Sequence, residues 1–293
     1  MSTYVYNPGR AEIGFDDARA LFASRFTKVV PTAIDNVSPH RVQRVLELGR
    51  EAGIDFEPHA VDLDEYQRYW DAAGYASRYP GYYRGNQPEK SLEHFLALKL
   101  LDLEPTQVFI DVASEDSPVP EIYWRLTGAC SFSQDIMHPA GIAGNRIGGD
   151  ACAMPLPDAF AAAAALTCSL EHFEGDGDVR LFAELARVLK PGGRVCVAPF
   201  YVYEEDATQT DPQVSLAADV AFDEDTVIYL AKGWGNRHGR FYSPGGFKRK
   251  IVERFRDTLD FRFFHVTNAD RVHGSCYLRF AFVAVRRDTP PGH

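Results

Sequence analysis

Residues 176–203 read DGDVRLFAELARVLKPGGRVCVAPFYVY, and two periodicities meet inside them. Val179, Phe182, Leu185, Ala186 and Leu189 recur at steps of three and four, the stripe of a helix with one buried face. Pro191-Gly192-Gly193 stops that helix, because proline lacks a backbone donor and glycine accepts positive φ. Arg194 to Tyr203 then reads as a strand. The same alternation extends upstream. Val108-Phe-Ile-Asp-Val-Ala113 is a buried-strand signal, and Pro120 to Leu126 a helix with Pro118 and Pro120 near its start. Ala129 to Ser133 is a second strand and Arg146 to Asp150 a third. The alanine-rich run Ala159 to Ser169 does not choose between strand and helix by length, but a strand is due at its position. Strands alternating with helices imply right-handed crossovers and a mainly parallel sheet covered on both faces.

Further on, Tyr242-Ser-Pro-Gly-Gly leads into a helix near Phe247 to Phe255. Two alternating runs follow, Leu259 to Val266 and Tyr277 to Arg286, and they read as an antiparallel pair closing the sheet. Glu204 to Asp225 carries eight acids and no Lys or Arg, which marks 204–245 as an inserted loop region. Residues 1–95 contain two helical stretches. Pro39 to Arg50 has Ser38 placed to cap it and Gly53 just beyond its end, and Leu63 to Gly74 precedes a tyrosine-rich segment. The expected organisation is a helical N-terminal extension over 1–95, packing over the pocket, and an α/β domain over 96–293.

Composition narrows the function. The 293 residues carry 31 Lys+Arg against 41 Asp+Glu, a net charge of −10, which argues against a nucleic-acid partner. The longest apolar run, Ala159 to Leu166, is far shorter than the ~20 residues a membrane helix needs. Met1 to Pro8 shows neither a basic nor an apolar leader region. Cys130, Cys152, Cys168, Cys196 and Cys276 form no C-x-x-C pair, so they read as thiols in a reducing compartment and not as a metal cage. The expectation is a soluble cytoplasmic protein with no membrane partner and no metal, with homo-oligomerisation left open.

Four pieces of the chain, in order and spacing, resemble the class I S-adenosylmethionine-dependent methyltransferases, and within them the small-molecule group with LEH and LKPGG elements. They are Phe109-Ile-Asp-Val112, Gly149 to Asp158 (GDACAMPLPD), Leu170-Glu-His-Phe173 and Leu181 to Val195 (LFAELARVLKPGGRV). The resemblance implies a Rossmann-like, mainly parallel seven-stranded sheet with helices on both faces and a terminal antiparallel hairpin. It also implies S-adenosylmethionine as cofactor, with Asp111 near its methionine moiety, Asp135 at the ribose, and Asp150 beside Ala151 at the adenine. Glu171 and His172 would face the cofactor–substrate boundary, His172 being the first candidate for a base and Glu171 the second.

The chain departs from that family where the family is most regular. Its first strand is normally followed by D/E-x-G-x-G-x-G, and here the run is Asp111-Val-Ala113-Ser-Glu115-Asp-Ser117. All three glycine positions are substituted. Ala113 and Ser117 are small, whereas the Glu115 carboxylate would occupy or border the space of the methionine tail, repelling its carboxylate and attracting its ammonium.

Candidates for substrate contact are Tyr82 and Tyr83 in the tyrosine-rich stretch, and Arg237, His238 and Arg240. Those two arginines and the histidine can clamp a carboxylate or phosphate, or can pair with the acids between Glu204 and Asp225. Tyr66 and Tyr69, one helical turn apart beside Trp70, read as packing residues. The expected activity is methyl transfer to an oxygen or nitrogen of a small molecule in secondary or sugar metabolism. The alternative is a methyltransferase-like scaffold that has lost its cofactor.

Overall fold

Phe109, Ile110, Asp111 and Val112 are all buried, on both faces of one strand, as the middle of a parallel sheet requires. The computed structural model describes residues 9–218 and 220–288. Met1 to Pro8, the segment read for a leader region, lies outside the described residues. The strands run β1 (Val29–Val30), β2 (Phe56–His59), β3 (Val108–Val112), β4 (Cys130–Asp135), β5 (Gly141–Ala143), β6 (Arg146–Gly148) and β7 (Ala161–Leu166). They continue as β8 (Leu189–Val197), β9 (Ala207–Thr210), β10 (Val227–Leu230), β11 (Gly239–Phe241), β12 (Leu259–Val266) and β13 (Phe280–Arg286).

The larger sheet has the order β2-β12-β13-β8-β7-β3-β4-β6-β5. From β8 through β6 the pairs are parallel, and β13 is antiparallel to both β8 and β12. This is the expected Rossmann-like sheet, with an extra strand at each edge. From β3 the chain steps outward to β4 and β6, then returns to β7 on the other side. The carboxyl ends of β3 and β7 therefore flank the switch point where such sheets bind ligands.

Three local expectations change. Pro191-Gly192-Gly193 is not the turn between helix and strand: the helix is Gly177–Val188, and β8 already begins at Leu189. Ala161 pairs with Leu189 and Ala163 with Arg194, so the Pro-Gly-Gly segment bulges out of β8. A Cβ at Gly193 would stand 2.7 Å from the Lys190 carbonyl oxygen, so only glycine fits. The strand also ends at Val197, short of Tyr203. The buried stripe of that helix is Leu181, Phe182, Leu185 and Val188, about one position away from the expected one. Leu181 and Val188 simply carry more apolar surface than the Ala186 face. Ser38 stands at the helix start of Pro39–Ala52 but makes no side-chain capping bond.

The chain divides into two compact units, and the boundary is not at residue 95. One comprises 55–169, 180–200 and 251–293, and holds the large sheet; the other comprises 1–54, 170–179 and 201–250. Phe56–His59 pairs in parallel with β12, which places 55–95 in the sheet unit. The supposed inserted loop 204–245 instead supplies three strands of a second sheet, ordered β1-β10-β9-β11 with Val29–Val30 as the fourth, around Tyr203, Val227, Tyr229 and Phe241. Tyr66 and Tyr69 pack in the core of the first unit with Phe95, Phe109 and Tyr123. Among the described residues no helix is long and apolar enough to cross a membrane.

Candidate active site

The loop after β3 keeps a glycine conformation without glycine. Ala113 has φ 51° and Glu115 φ 49°, both left-handed. A side chain in that region costs roughly 1–2 kcal/mol, so neighbouring groups must hold it. The amide of Ala113 donates to Gln134 Oε1 at 3.1 Å and that of Glu115 to Asp135 Oδ2 at 2.7 Å, while the Ser114 and Ser133 hydroxyls meet at 2.6 Å. The end of β4 thus moulds the loop. Glu115 is exposed, so its carboxylate borders the loop and does not fill it.

Beneath the loop lies Asp111, with no exposure and with neither carboxylate oxygen in a hydrogen bond of full geometry. Burial pushes its pKa up to about 7; the Ser117 hydroxyl opposes this and the Asp135 charge adds to it. Asp135 is nearly buried, and its Oδ1 accepts from the Met137 amide at 2.8 Å. Each of its oxygens therefore takes one backbone donor and keeps a further acceptor site. Asp150 is half-exposed, accepts from the Cys152 amide at 2.9 Å and faces Arg180 at 3.5 Å, with Ala151 buried beside it. Gln134 Nε2 donates to the Gly149 carbonyl at 2.7 Å, so one side chain ties the β3 loop to the Asp150 loop.

A second cluster at these strand ends was not legible in the sequence. The helix Gln87–Leu101 feeds β3, and Glu89, Lys90, Glu93 and His94 on it are all buried. Lys90 Nζ lies 3.1 Å from Glu93 Oε2, and the Cys168 thiol, just past β7, donates to Glu93 Oε1 at 3.1 Å. Burial opposes the Lys90 charge, but Cys168 and Glu93 outweigh it and hold the ammonium well above the ordinary lysine range. Burial and the Glu93 charge push Glu89 up to about 8. Tyr82 packs on the His94 ring, and burial pushes its hydroxyl pKa up, with Lys90 opposing and the Glu93 and Asp111 charges adding to the rise. Tyr83 sits over Lys90, and its hydroxyl feels Cys168 and Glu115. Tyr83, Ala113, Glu115 and Cys168 are all left-handed non-glycine residues, and such strain gathers at functional sites.

The remaining expected residues belong to the other unit. His172 lies in a 3-10 turn, Leu170–His172. Its Nδ1–H donates to the His238 carbonyl at 2.6 Å and the His238 Nδ1–H to the Glu171 carbonyl at 3.0 Å, a reciprocal pair. His172 Nε2 lies 3.6 Å from Glu171 Oε1. Arg237 Nε is bound to Glu174 at 2.6 Å. Arg240 is 3% exposed and reaches Asp178 and Asp223 at 2.9 Å each, besides the carbonyls of Phe173 and Gly175. A guanidinium so engaged has no hand left for a substrate, which corrects the expectation for Arg240. Asp223, one of the eight acids, is its partner.

Residues 95–197 match a methyltransferase domain. No curated protein sequence matches the chain. Among solved structures, the chain resembles Burkholderia thailandensis 1,6-didemethyltoxoflavin-N1-methyltransferase with bound 1,6-didemethyltoxoflavin and S-adenosylhomocysteine. The identity is 13%, over 78% of this chain and 92% of that one, with a TM-score of 0.45. It also resembles a complex of the Haloferax volcanii Trm112 methyltransferase activator with a methyltransferase, at 14% identity over 77% and 98% of the two chains and a TM-score of 0.44. Haemonchus contortus phosphoethanolamine N-methyltransferase 1, in complex with phosphoethanolamine and S-adenosylhomocysteine, matches at 11% identity over 79% and 50%, with a TM-score of 0.45.

The methyltransferase domain so matched contains Asp111, Asp135, Asp150 and Cys168, but the Lys90–Glu93 pair precedes it. Its first loop makes a direct test of strain. Ala113→Gly is expected to stabilise the protein by about 1 kcal/mol, the left-handed penalty removed less the extra freedom glycine gains when unfolded. A urea midpoint that moves up at unchanged slope checks this. A midpoint that moves down would mean the alanine methyl packs better than the backbone is strained.

Proposed function

We propose that this protein is an S-adenosylmethionine-dependent methyltransferase acting on a small-molecule oxygen or nitrogen acceptor. One observation carries the reading: a fully buried carboxylate, Asp111, with no hydrogen bond of full geometry and only the Ser117 hydroxyl favouring its charge, under a loop held in glycine geometry by residues that are not glycine. An orphaned buried acid is costly unless a ligand donor completes it, and the α-ammonium of the cofactor is such a donor. Asp135 retains acceptor capacity for the ribose hydroxyls. Asp150 and Ala151 are assigned to the adenine edge, and Glu115 borders the amino-acid end. When bound, S-adenosylmethionine supplies an electrophilic methyl group, so the protein's work is to bind, orient and exclude water.

For the base, the His172 Nδ1–H is spent on the His238 carbonyl and Nε2 lies 3.6 Å from Glu171 Oε1, so the two side chains stand as a coupled acid–base pair. His172 and Glu171 are retained as the candidate pair on that ground. The scaffold alternative gains no specific support, because Glu115 is exposed and the loop backbone keeps its shape. Titration calorimetry with S-adenosylhomocysteine and S-adenosylmethionine decides between the two readings. Saturable heat with both ligands is expected, and an absence of heat and of thermal shift at millimolar ligand would end the enzymatic reading.

A further inference from the structure

The Lys90–Glu93 pair needs an explanation that the cofactor does not give. Lys90 is 4% exposed and Glu93 not at all, one helical turn apart, with Nζ 3.3 and 3.1 Å from the two carboxylate oxygens. Two buried opposite charges seldom stabilise a fold more than two apolar residues of the same size. This pair is also not placed at random. Cys168, at the carboxyl end of β7, donates its thiol to Glu93 at 3.1 Å, and the Tyr277 hydroxyl stands 3.5 Å from the same sulfur.

The cluster is layered. Glu93 is innermost and accepts from both Lys90 and Cys168. Lys90 comes next. Its cover is the Tyr83 ring, whose centroid lies 4.7 Å from Nζ; Tyr83 is 48% exposed, more than the half-buried Tyr82 and Tyr277 beside it. A ligand entering past Tyr83 meets the ammonium first and the carboxylate only behind it. The charge presented to it is therefore positive, although the pair as a whole is neutral. The Tyr83 backbone is left-handed, at φ 40°, a conformation that costs a side chain roughly 1–2 kcal/mol and is offset here by the ring's contact with the ammonium.

We infer that Lys90 is the acceptor-binding cation of the site, pairing with an acidic oxygen of the acceptor that takes the place of the Tyr83 ring, while Glu93 and Cys168 hold the lysine in position. This rests on the methyltransferase reading and narrows its acceptor to molecules bearing a phenolate, enolate or carboxylate. An ammonium-bearing acceptor meets a like charge and is repelled. An ion pair with Lys90 also favours the ionised form of an acidic hydroxyl, so such an acceptor is bound as its anion.

4-Nitrophenol reports this directly, because its anion is yellow and its neutral form is not. Titrated at mildly acid pH into the protein saturated with S-adenosylhomocysteine, it is expected to turn yellow on binding, to be displaced by benzoate, and to be unaffected by benzylamine. Lys90→Met combined with Glu93→Gln removes both charges together, so no lone buried charge is left to unfold the chain. That variant is expected to bind S-adenosylhomocysteine as the wild type does, while losing the yellow shift and about tenfold or more in affinity for 4-nitrophenol and benzoate. Tyr83→Ala is expected to tighten both. Undiminished binding in the double variant, binding without the colour change, preference for benzylamine, or no binding of either anion by wild type that holds S-adenosylhomocysteine each overturns the inference. Failure to bind S-adenosylhomocysteine overturns instead the reading on which it rests.

Discussion

Asp178→Ala is expected to cost about 3–5 kcal/mol of stability, the range found when one partner of a buried ion network is removed. Asp178 is fully buried, and its carboxylate takes Arg240 at 2.9 Å, Lys250 at 3.0 Å and the Tyr242 hydroxyl at 2.7 Å, while its own helix supplies the Val179 amide. Without it, Arg240 keeps Asp223 and the carbonyls of Phe173 and Gly175, and the Tyr242 hydroxyl loses its 2.7 Å bond to Asp178. The urea midpoint measures the loss. Arg240→Met in the Asp178→Ala background should return part of it, since a buried cation that has lost one of its two carboxylates is then gone as well. If Arg240 were a substrate clamp whose bond to Asp178 is incidental, the single substitution would leave stability within about 0.5 kcal/mol.

The reading of Arg240 shows where sequence reasoning reaches its limit. An arginine between glycines in a loop looks the same whether it waits for a ligand or ties two segments together; only the distance to Asp178 and Asp223 separates the cases. The fold was more legible. Val108–Val112 is apolar apart from Asp111 and Ala161–Leu166 is apolar throughout, as strands buried on both faces are, and the second was placed by its position between helices and not by its length. The edge strands were not legible. Phe56–His59 contains a proline and Gly141–Ala143 has three residues, so neither carries a period. The second sheet hid for a related reason: Ala207–Thr210 is polar in three of four positions, yet wholly buried, its hydroxyls satisfied by Thr226 and the Arg237 carbonyl.

The site was legible only along the methyltransferase-like pieces. Asp111, Asp135 and Asp150 stand at strand ends where sequence order puts them, because strand ends are fixed by the sheet. Lys90 and Glu93 could not be found that way. Charged residues on a helix ordinarily mark its solvated face, and on Gln87–Leu101 every residue from Glu89 to Ala97 is buried, so the helix has no solvated face there. The signal available was the crowding of Glu89, Lys90, Glu93 and His94 among Leu92, Phe95 and Leu96, just after a run of tyrosines.

Asp111→Asn is expected to strengthen the fold and weaken the function at once. The carboxyl has a pKa of about 7 in the folded protein against 3.8 as a model group, with burial as the main cause. Between those values the folded state holds a proton that the unfolded chain has released. The stability tied to this proton therefore falls as pH rises through that window and levels off above it. At 1.36 kcal/mol per pKa unit the loss above pH 7 approaches about 4 kcal/mol. Asparagine has no charge to bury, so the variant should match the wild type near pH 4 and exceed it by several kcal/mol at pH 8, approximately the loss just given. Parallel urea titrations at the two pH values test this. Ligand affinity should move the other way. An ammonium needs the ionised carboxylate, so wild-type affinity for S-adenosylhomocysteine should climb as pH rises through about 7. In the variant it should be roughly 10–100-fold lower at pH 8 and flat with pH, the worth of a charge-assisted hydrogen bond. A purely structural aspartate would lose stability on substitution at every pH and leave the affinity profile in place. Gain in one measurement with loss in the other is the signature of a residue kept for its ligand.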